Sequence, residues 1–489
     1  MKAFMTIKEL TDKLNKKEIT PTEVQNYYHA RIKKYHTKLN CFLEVFDKDE
    51  QNTGSQAQNT NNNSENTGIL AHIPYVYKDN ICLKDKITSA NSKILSNYKA
   101  PYDATVHKRL KQAGATPIAR TNCDEFAMGT SGEFSACGPT LNPWDHERTP
   151  GGSSSGSTAA VAAGLIPFSL GSETGGSIRT PVSFSGLVGM YPTYGLNSRY
   201  GLIAFGSSLD QIAPITHTVY DNALVATALS GKDPKDSTSI QMDPKDYTKN
   251  LTGRLPENLT IGIIKDCVDN KSIHPEVSQA FEQAIEQLHK LGAKTKVIEI
   301  PHLKYGNAVY FIITRAEAAS NLSRFDGTLY GNRAKDCKDL ESMYNQTRHD
   351  GFGIEVKRRI LTGNYVLGAK HQENFYARAL KVRDMIRAEF LDAFKDVDLL
   401  MSPTTPTPAF KIGELIDDPI TMYLADFFTV PNCVIGTPAL SLPCGFTKTE
   451  LPIGFQFFGP PLSEELIYQT AHAYQVNTDH HTKHPKNYD

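Results

Sequence analysis

Residues 151–181 read GGSSSGSTAAVAAGLIPFSLGSETGGSIRTP, and two glycine-serine clusters flank a short apolar stretch in them. The pattern predicts a helix over 157–164 and a strand over 165–170 between the two clusters. Glycine and other small residues suit tight turns, because glycine adopts backbone conformations that are closed to other residues. Each cluster can therefore be a simple turn or can carry chemistry.

The first cluster fits two catalytic motifs imperfectly. Gly152, Ser154 and Gly156 match G-x-S-x-G, the nucleophile elbow of serine hydrolases, which needs a later acid and histidine. The candidate histidines, none of them in a distinctive context, are His217, His289, His302 and His371. A phosphate loop is the second match, but Ser157 stands where that loop requires a lysine.

The second cluster, GSETGGSIRTP at 171–181, offers a better nucleophile. Ser177 follows two glycines, and the backbone amides of Thr174, Gly175, Gly176 and Ser177 can converge there. Such a nest of N–H groups is what an oxyanion requires. We therefore predict an oxyanion hole at this loop, with a turn of no chemical role as the alternative.

A serine hydroxyl becomes a good nucleophile only when a base takes its proton. Lys78, in YVYKDNI at the end of a hydrophobic strand, is a candidate for that base. Burial of a lysine lowers its pKa and makes the neutral amine available. The alternative is that Lys78 forms an ion pair with the adjacent Asp79.

Strand and helix patterns alternate along the rest of the chain, which predicts an α/β fold with a mixed, largely parallel central sheet covered by helices on both faces. We predict one large domain over 1–489, with N-terminal helices within 1–45. Residues 51–68 have almost no apolar side chain, so we expect a flexible insertion there. The predicted strands and helices of the remainder are strands 73–77, 116–121, 259–265, 294–300, 396–403 and 438–445 and helices 106–114 and 275–292.

The overall composition gives no sign of nucleic-acid or membrane binding. The 52 basic and 53 acidic side chains leave a formal net charge of −1, which provides no field toward either partner. The 8 cysteines include no C-x-x-C pair, a pattern typical of reduced thiols and not of a metal site. No stretch is long and apolar enough for a signal peptide or a membrane span. We predict a cytoplasmic protein.

The motif K-D-N at 78–80, GGSSSGS and the long run GSETGGSIRTPVSFSGLVGMYPTYG at 171–195 together resemble the amidase signature family. The resemblance covers essentially the whole chain. It implies that Ser177 is the nucleophile, Ser153 a bridging serine that follows a cis peptide bond, and Lys78 the base.

Three further segments, 198–215, 316–333 and 350–360, resemble the glutamine-hydrolysing subunits of tRNA-dependent amidotransferases within this family. Such subunits release ammonia from glutamine, and Glu-tRNA(Gln) or Asp-tRNA(Asn) is amidated on a partner. The resemblance implies a heterotrimer with a tRNA-binding subunit, through which charged tRNA is bound, and a small third subunit. It implies no metal or other cofactor in this chain, and ATP and Mg²⁺ at the partner subunit.

Free glutamine carries an α-carboxylate and an α-ammonium, so its pocket needs a cation and an anion. Arginine suits the carboxylate because its planar fork binds both oxygens. The resemblance implies that Arg358 and Asp426 form this clamp, with Arg359 as the alternative if the register slips by one residue. Tyr310 and the backbone near Gly129 are the other implied substrate contacts.

Two alternatives to the amidotransferase remain at this point: a stand-alone hydrolase of small amides, and a scaffold without activity. The sequence also departs from the family pattern at Val76-Tyr77 before the lysine and at Ser155, where glycine is usual. The complete set of Lys78, Ser153 and Ser177 argues against the scaffold.

Overall fold

The computed structural model describes residues 1–47, 68–268 and 271–488, which leaves most of the predicted insertion at 51–68 outside the described residues. In the described chain one sheet contains eleven strands. Their bounds are β1 Phe42–Val45, β2 Pro74–Lys78, β3 Thr116–Thr121, β4 Phe168–Glu173, β5 Val188–Tyr191, β6 Gln211–Thr216, β7 Thr260–Ile264, β8 Lys294–Ile298, β9 Leu399–Pro403, β10 Ala439–Phe446 and β11 Pro452–Phe458.

The strands are ordered β1-β3-β2-β4-β6-β5-β10-β11-β9-β7-β8. Parallel pairs join β2 to β3 and β4 near one edge, and β7 to β8 and β9 at the other. All other neighbours are antiparallel. The α/β class and the mixed sheet are confirmed, but the expectation of a largely parallel sheet is wrong. The sequence patterns did not predict β1, β5, β6 and β11, and these strands form the antiparallel pairs.

Helices connect and cover these strands. Their bounds are α1 Ile7–Asn15, α2 Pro21–Leu39, α3 Thr105–Gln112, α4 Ser155–Ala162, α5 Arg179–Ser185, α6 Val219–Leu229, α7 Pro275–Lys290, α8 Gly306–Asn321, α9 Leu340–Gly351, α10 Ile354–Leu367, α11 Arg378–Ala393, α12 Pro419–Leu424, α13 Val430–Ile435 and α14 Glu464–Val476. Capping boxes begin α1 at Thr6 and α2 at Thr20, because each threonine accepts from a backbone amide while a glutamate three residues later returns the bond. The predicted N-terminal helices are confirmed.

Strands β2, β4, β6, β9 and β11 are buried along their whole length, as expected for a sheet covered on both faces. Helix α4 is also buried at every residue, because its serines, alanines and glycine let it pack closely against the strands. It begins two residues earlier than predicted, and β4 begins three residues later. The two glycine-serine clusters therefore lie in the loops before α4 and after β4.

None of the described helices has the length and apolar character required to cross a lipid bilayer.

Candidate active site

Lys78 is the last residue of β2 and is completely buried. Its Nζ lies 2.6 Å from Ser153 Oγ, 3.1 Å from Ser154 Oγ and 3.1 Å from the carbonyl oxygen of Ser172. Burial lowers the pKa of Lys78 to about 8, although nearby acidic groups oppose the shift. The lysine is thus held against two serines with its neutral form accessible near neutral pH.

The alternative ion pair between Lys78 and Asp79 does not form. Asp79 instead accepts a 2.8 Å hydrogen bond from Arg120 and further bonds from Ser89 and the amide of Asn91. The buried Asp79 carboxylate is therefore satisfied on the side of β3, and Lys78 is left to the serines.

The first glycine-serine cluster positions Ser153 through its backbone. The Gly152–Ser153 peptide bond is cis, and the Gly152 amide donates to the carbonyl of Thr130 at 2.7 Å. The Ser153 carbonyl accepts from the amide of Asp124 at 3.2 Å. A Cβ atom at Gly152 would lie 2.1 Å from Asp124 Oδ2, so no larger residue fits.

Ser154, the serine of the elbow motif, is engaged with the backbone. Its hydroxyl donates to the carbonyl of Ser172 at 3.0 Å, and the hydroxyl oxygen accepts from the Lys78 ammonium. The four candidate histidines form their hydrogen bonds and ring contacts elsewhere; His217, for example, is bonded to the carbonyl of Val161. The structure thus supplies no acid–histidine pair for an elbow at Ser154.

The second cluster forms the loop between β4 and α5 and carries Ser177. Buried Glu173 shapes the loop: its carboxylate accepts from the amides of Ile178 and Arg179 at 3.0 Å each and pairs with the Arg179 guanidinium at 2.6 Å. The Ser177 carbonyl accepts from the amide of Ser154 at 3.2 Å. This bond joins the two clusters directly and brings Ser177 next to the Lys78–Ser153 pair.

Backbone donors are available beside Ser177. Within the described parts of the chain, no acceptor is recorded for the amides of Gly175, Gly176 and Ser177. Gly176 has a φ of +139°, and a Cβ atom there would lie 2.4 Å from Thr429 Oγ1. The Thr174 side chain is fixed by a 2.6 Å bond to Asp210. Free amides on a fixed loop are suited to stabilise a developing negative oxygen.

A cavity adjoins this loop, and we call it the Arg359 cavity. A Cβ atom at Gly175 would lie 2.5 Å from the ring of Tyr310, and one at Gly176 would lie 2.6 Å from Asp426, so the loop forms one border of the cavity. The lining residues are Gly129, Thr130, Asn307, Tyr310, Phe311, Arg359, Tyr423, Asp426 and Val430.

Of the two neighbouring arginines on α10, Arg359 lines the cavity and Arg358 does not. The Arg359 side chain is 4% exposed and its Nε donates to Glu355 at 2.8 Å, whereas the Arg358 side chain is 40% exposed. Successive residues of a helix point about 100° apart, so only one of the pair can face inward. Burial disfavours a charged Arg359, but Glu355 outweighs this and raises its pKa above the usual value.

Asp426 supplies the anion on the other side of the cavity. Its two carboxylate oxygens accept from Thr180 and Thr130, each at 2.8 Å. Burial raises the pKa of Asp426 to about 7, against the effect of these two hydrogen bonds. The carboxylate is thus held in place by both hydroxyls with its protonation poised near neutrality.

Sequence reasoning missed several groups that hold these residues. Asp124 accepts from the amides of Gly132 and Phe134 at 2.9 and 3.0 Å, and burial raises its pKa to about 6. Glu355 and Tyr423, whose hydroxyl donates to Glu355 at 2.7 Å, fix the position of Arg359. None of the three belongs to a motif, and only their three-dimensional positions identify them.

Among the described residues, no group of three or more histidines, cysteines or acidic residues is arranged to hold a metal ion.

The site combines a buried lysine, two serines and free backbone amides, which is the equipment of a serine-dependent amide hydrolase. The family model described as Amidase matches residues 23–468. The chain belongs to the amidase family.

Relatives with assigned names give a narrower comparison. The A chain of glutamyl-tRNA(Gln) amidotransferase from Halothermothrix orenii is 47% identical over 482 residues, which cover 99% of each chain. The protein of the same name from Sulfurihydrogenibium sp. is 46% identical over 98% of this chain and 99% of its own.

Among solved structures, the protein of that name from Thermotoga maritima is 39% identical, with a TM-score of 0.81, and the match covers 97% of this chain and 95% of that one. Peptide amidase from Stenotrophomonas maltophilia is 28% identical, with a TM-score of 0.79 and 97% coverage of both chains.

Proposed function

We propose that this chain is the glutaminase subunit of a tRNA-dependent amidotransferase, which hydrolyses glutamine and supplies ammonia for the conversion of Glu-tRNA(Gln) to Gln-tRNA(Gln). The observation that carries the proposal is the Arg359 cavity, which places a buried cation and a carboxylate beside the Ser177 loop. Relatives of nearly full-length coverage bear the name of such an amidotransferase. Conversion of Asp-tRNA(Asn) to Asn-tRNA(Asn) is the second reaction of the same class.

The reaction begins with a proton relay. Neutral Lys78 accepts the proton of Ser153 across their 2.6 Å contact, and Ser153 in turn accepts the proton of Ser177. The Ser177 oxygen then attacks the side-chain amide carbon of glutamine. The negative oxygen of the tetrahedral intermediate is stabilised by the amide groups of the loop, with Thr174, Gly175 and Gly176 as the oxyanion hole.

The relay then runs in reverse. The proton held by Lys78 passes through Ser153 to the leaving nitrogen, the carbon–nitrogen bond breaks, and ammonia leaves. A glutamyl ester remains on Ser177. A water molecule, deprotonated by the same relay, attacks this ester and releases glutamate and the free enzyme. Both half-reactions therefore use Lys78 as base and then as acid.

The Arg359 cavity binds the charged end of glutamine. Arg359 takes the α-carboxylate in the role first expected for Arg358, because Arg358 lies outside the cavity. Asp426 takes the α-ammonium, and Tyr310 and the backbone at Gly129 form the walls between them. These four residues account for selection of a free amino acid over a neutral amide.

The partners follow from the reaction. Amidation of a tRNA-bound carboxylate consumes ATP and Mg²⁺, and we assign both to a tRNA-binding partner subunit. A small third subunit completes the proposed heterotrimer, and we place the complex in the cytoplasm.

The test is to measure ammonia release from glutamine and from propionamide by the full chain, alone and together with its candidate partner subunits. The proposal predicts a higher kcat/KM for glutamine and further stimulation by the partners and charged tRNA. A wild-type chain that prefers propionamide would contradict it and would indicate a stand-alone amidase.

A further inference from the structure

Asn307 is the second residue of α8 and lies one helical turn before Tyr310. Residues three apart on a helix share a face. Both side chains line the Arg359 cavity, together with Arg359 and Asp426 on the opposite elements. The asparagine therefore lies at the end of the cavity that holds the two charged groups.

The carboxamide of Asn307 differs from its polar neighbours in the cavity. Its nitrogen and its oxygen are both buried, and neither has a hydrogen-bond partner among the described residues. By contrast, Thr130 donates to Asp426, and both Arg359 and Tyr423 donate to Glu355. Asn307 thus retains a free donor and a free acceptor where its neighbours are already paired.

A buried polar group without a partner is costly, and the cost disappears when a ligand supplies the partner. The arrangement of charges indicates which ligand this is. A cation and an anion already flank the cavity, and a carboxamide offers an NH₂ donor for a carboxylate and a carbonyl acceptor for an ammonium. A zwitterionic α-amino acid complements all three groups at once.

We propose that Asn307 is a substrate-positioning and specificity-determining residue, whose carboxamide binds the α-amino-acid end of glutamine alongside Arg359 and Asp426. This inference rests on the proposed function. It assigns Asn307 to recognition of the charged end and not to the bond that is cleaved, because that bond lies at Ser177.

The experiment compares steady-state kinetics of the full chain, with its partner subunits present, on glutamine and on propionamide. Asn307→Ala is expected to raise KM for glutamine about ten- to a hundredfold, since hydrogen bonds to charged groups are lost, with a much smaller change in kcat. The loss in kcat/KM for propionamide should be at least about tenfold smaller. Asn307→Asp should raise KM at least as much, because it loses the donor and repels the carboxylate.

Asn364→Ala is the matched control, because Asn364 is an exposed asparagine on α10. It should leave KM for glutamine within about twofold of wild type. Equal losses for glutamine and propionamide in Asn307→Ala would show that Asn307 only supports the fold, and an unchanged KM for glutamine would show that it makes no contact. Either result overturns this inference alone, whereas a wild-type preference for propionamide overturns the proposed function and the inference with it.

Discussion

The catalytic loops and the Arg359 cavity are neighbours, but they are built in opposite ways. The loops come from the single stretch 151–181 plus one lysine, and backbone bonds such as that from Ser154 to Ser177 hold them. The cavity is assembled from α8, α10 and two loops distant in sequence, and long side chains paired with Glu355 or Asp426 form its walls. One region is shaped by small residues and the other by charge pairs.

This difference implies a division of labour. Changes in the catalytic loops should reduce the turnover of every amide, because the reacting atoms are the same for all of them. Changes in the cavity should act on KM and only for amides with charged ends. The following substitutions test that division.

The largest effect is expected for Ser177→Ala, because no other group is placed to form the glutamyl ester. The loss of kcat should be on the order of 10⁴-fold or more for glutamine and for propionamide alike. Ammonia release by the purified chain measures it. Retention of most activity toward either amide would remove Ser177 from the nucleophile role.

Lys78→Ala should reduce kcat by about 10²–10⁴-fold, the usual contribution of a general base. Ser153→Ala should retain slightly more activity, and the double variant should be little worse than Lys78→Ala, since the two residues act as one unit. In the wild type, kcat/KM for propionamide should rise with pH and level off above about 8, because the amine must be neutral. Additive losses in the double variant would argue against the relay.

The two arginines of α10 provide a matched pair for the cavity. Arg359→Ala should raise KM for glutamine roughly thirtyfold to several thousandfold, because a buried charge partner of the carboxylate is lost. Arg358→Ala, at the exposed position, should change KM by no more than about threefold. Arg359→Lys should remain impaired, because an ammonium cannot reproduce the bidentate fork. If Arg358→Ala gave the larger effect, the assignment of Arg359 would be wrong.

The smallest effect concerns pH. Asp426 pairs with an ammonium only when ionised, and its pKa is raised to about 7. Glutamine kcat/KM should therefore fall about tenfold for the pH unit below 7, in addition to the Lys78 effect seen with propionamide. Asp426→Asn should lower the glutamine value at pH 8 and remove this extra dependence. Identical pH profiles for the two amides in the wild type would contradict the role of Asp426.

The same contrast explains how much the sequence could predict. The candidate triad residues could be chosen in advance because Ser153 and Ser177 lie in one local motif and Lys78 ends a recognisable strand. The choice between Arg358 and Arg359 could not be made, because it depends on which side of α10 packs inward. Asp124, Glu355 and Asn307 carry no local pattern, since they act through contacts with residues far away in the chain.

In the fold, buried strands with clear apolar patterns such as β2, β3 and β9 could be predicted. The strands β5 and β6 lie between glycine- and proline-rich segments whose patterns resemble turns, so they could not. Their omission also accounts for the error in the share of parallel strands, because pairing direction is a property of the whole sheet.

The central claim is that Ser177 forms a covalent glutamyl ester under the control of Lys78 and Ser153. The most direct measurement is mass spectrometry of the full chain, quenched with acid during glutamine turnover and then digested. The account predicts a glutamyl adduct on the peptide that contains Ser177, and its absence from Ser177→Ala. An adduct on Ser153 or Ser154, or undiminished turnover by Ser177→Ala, would contradict it.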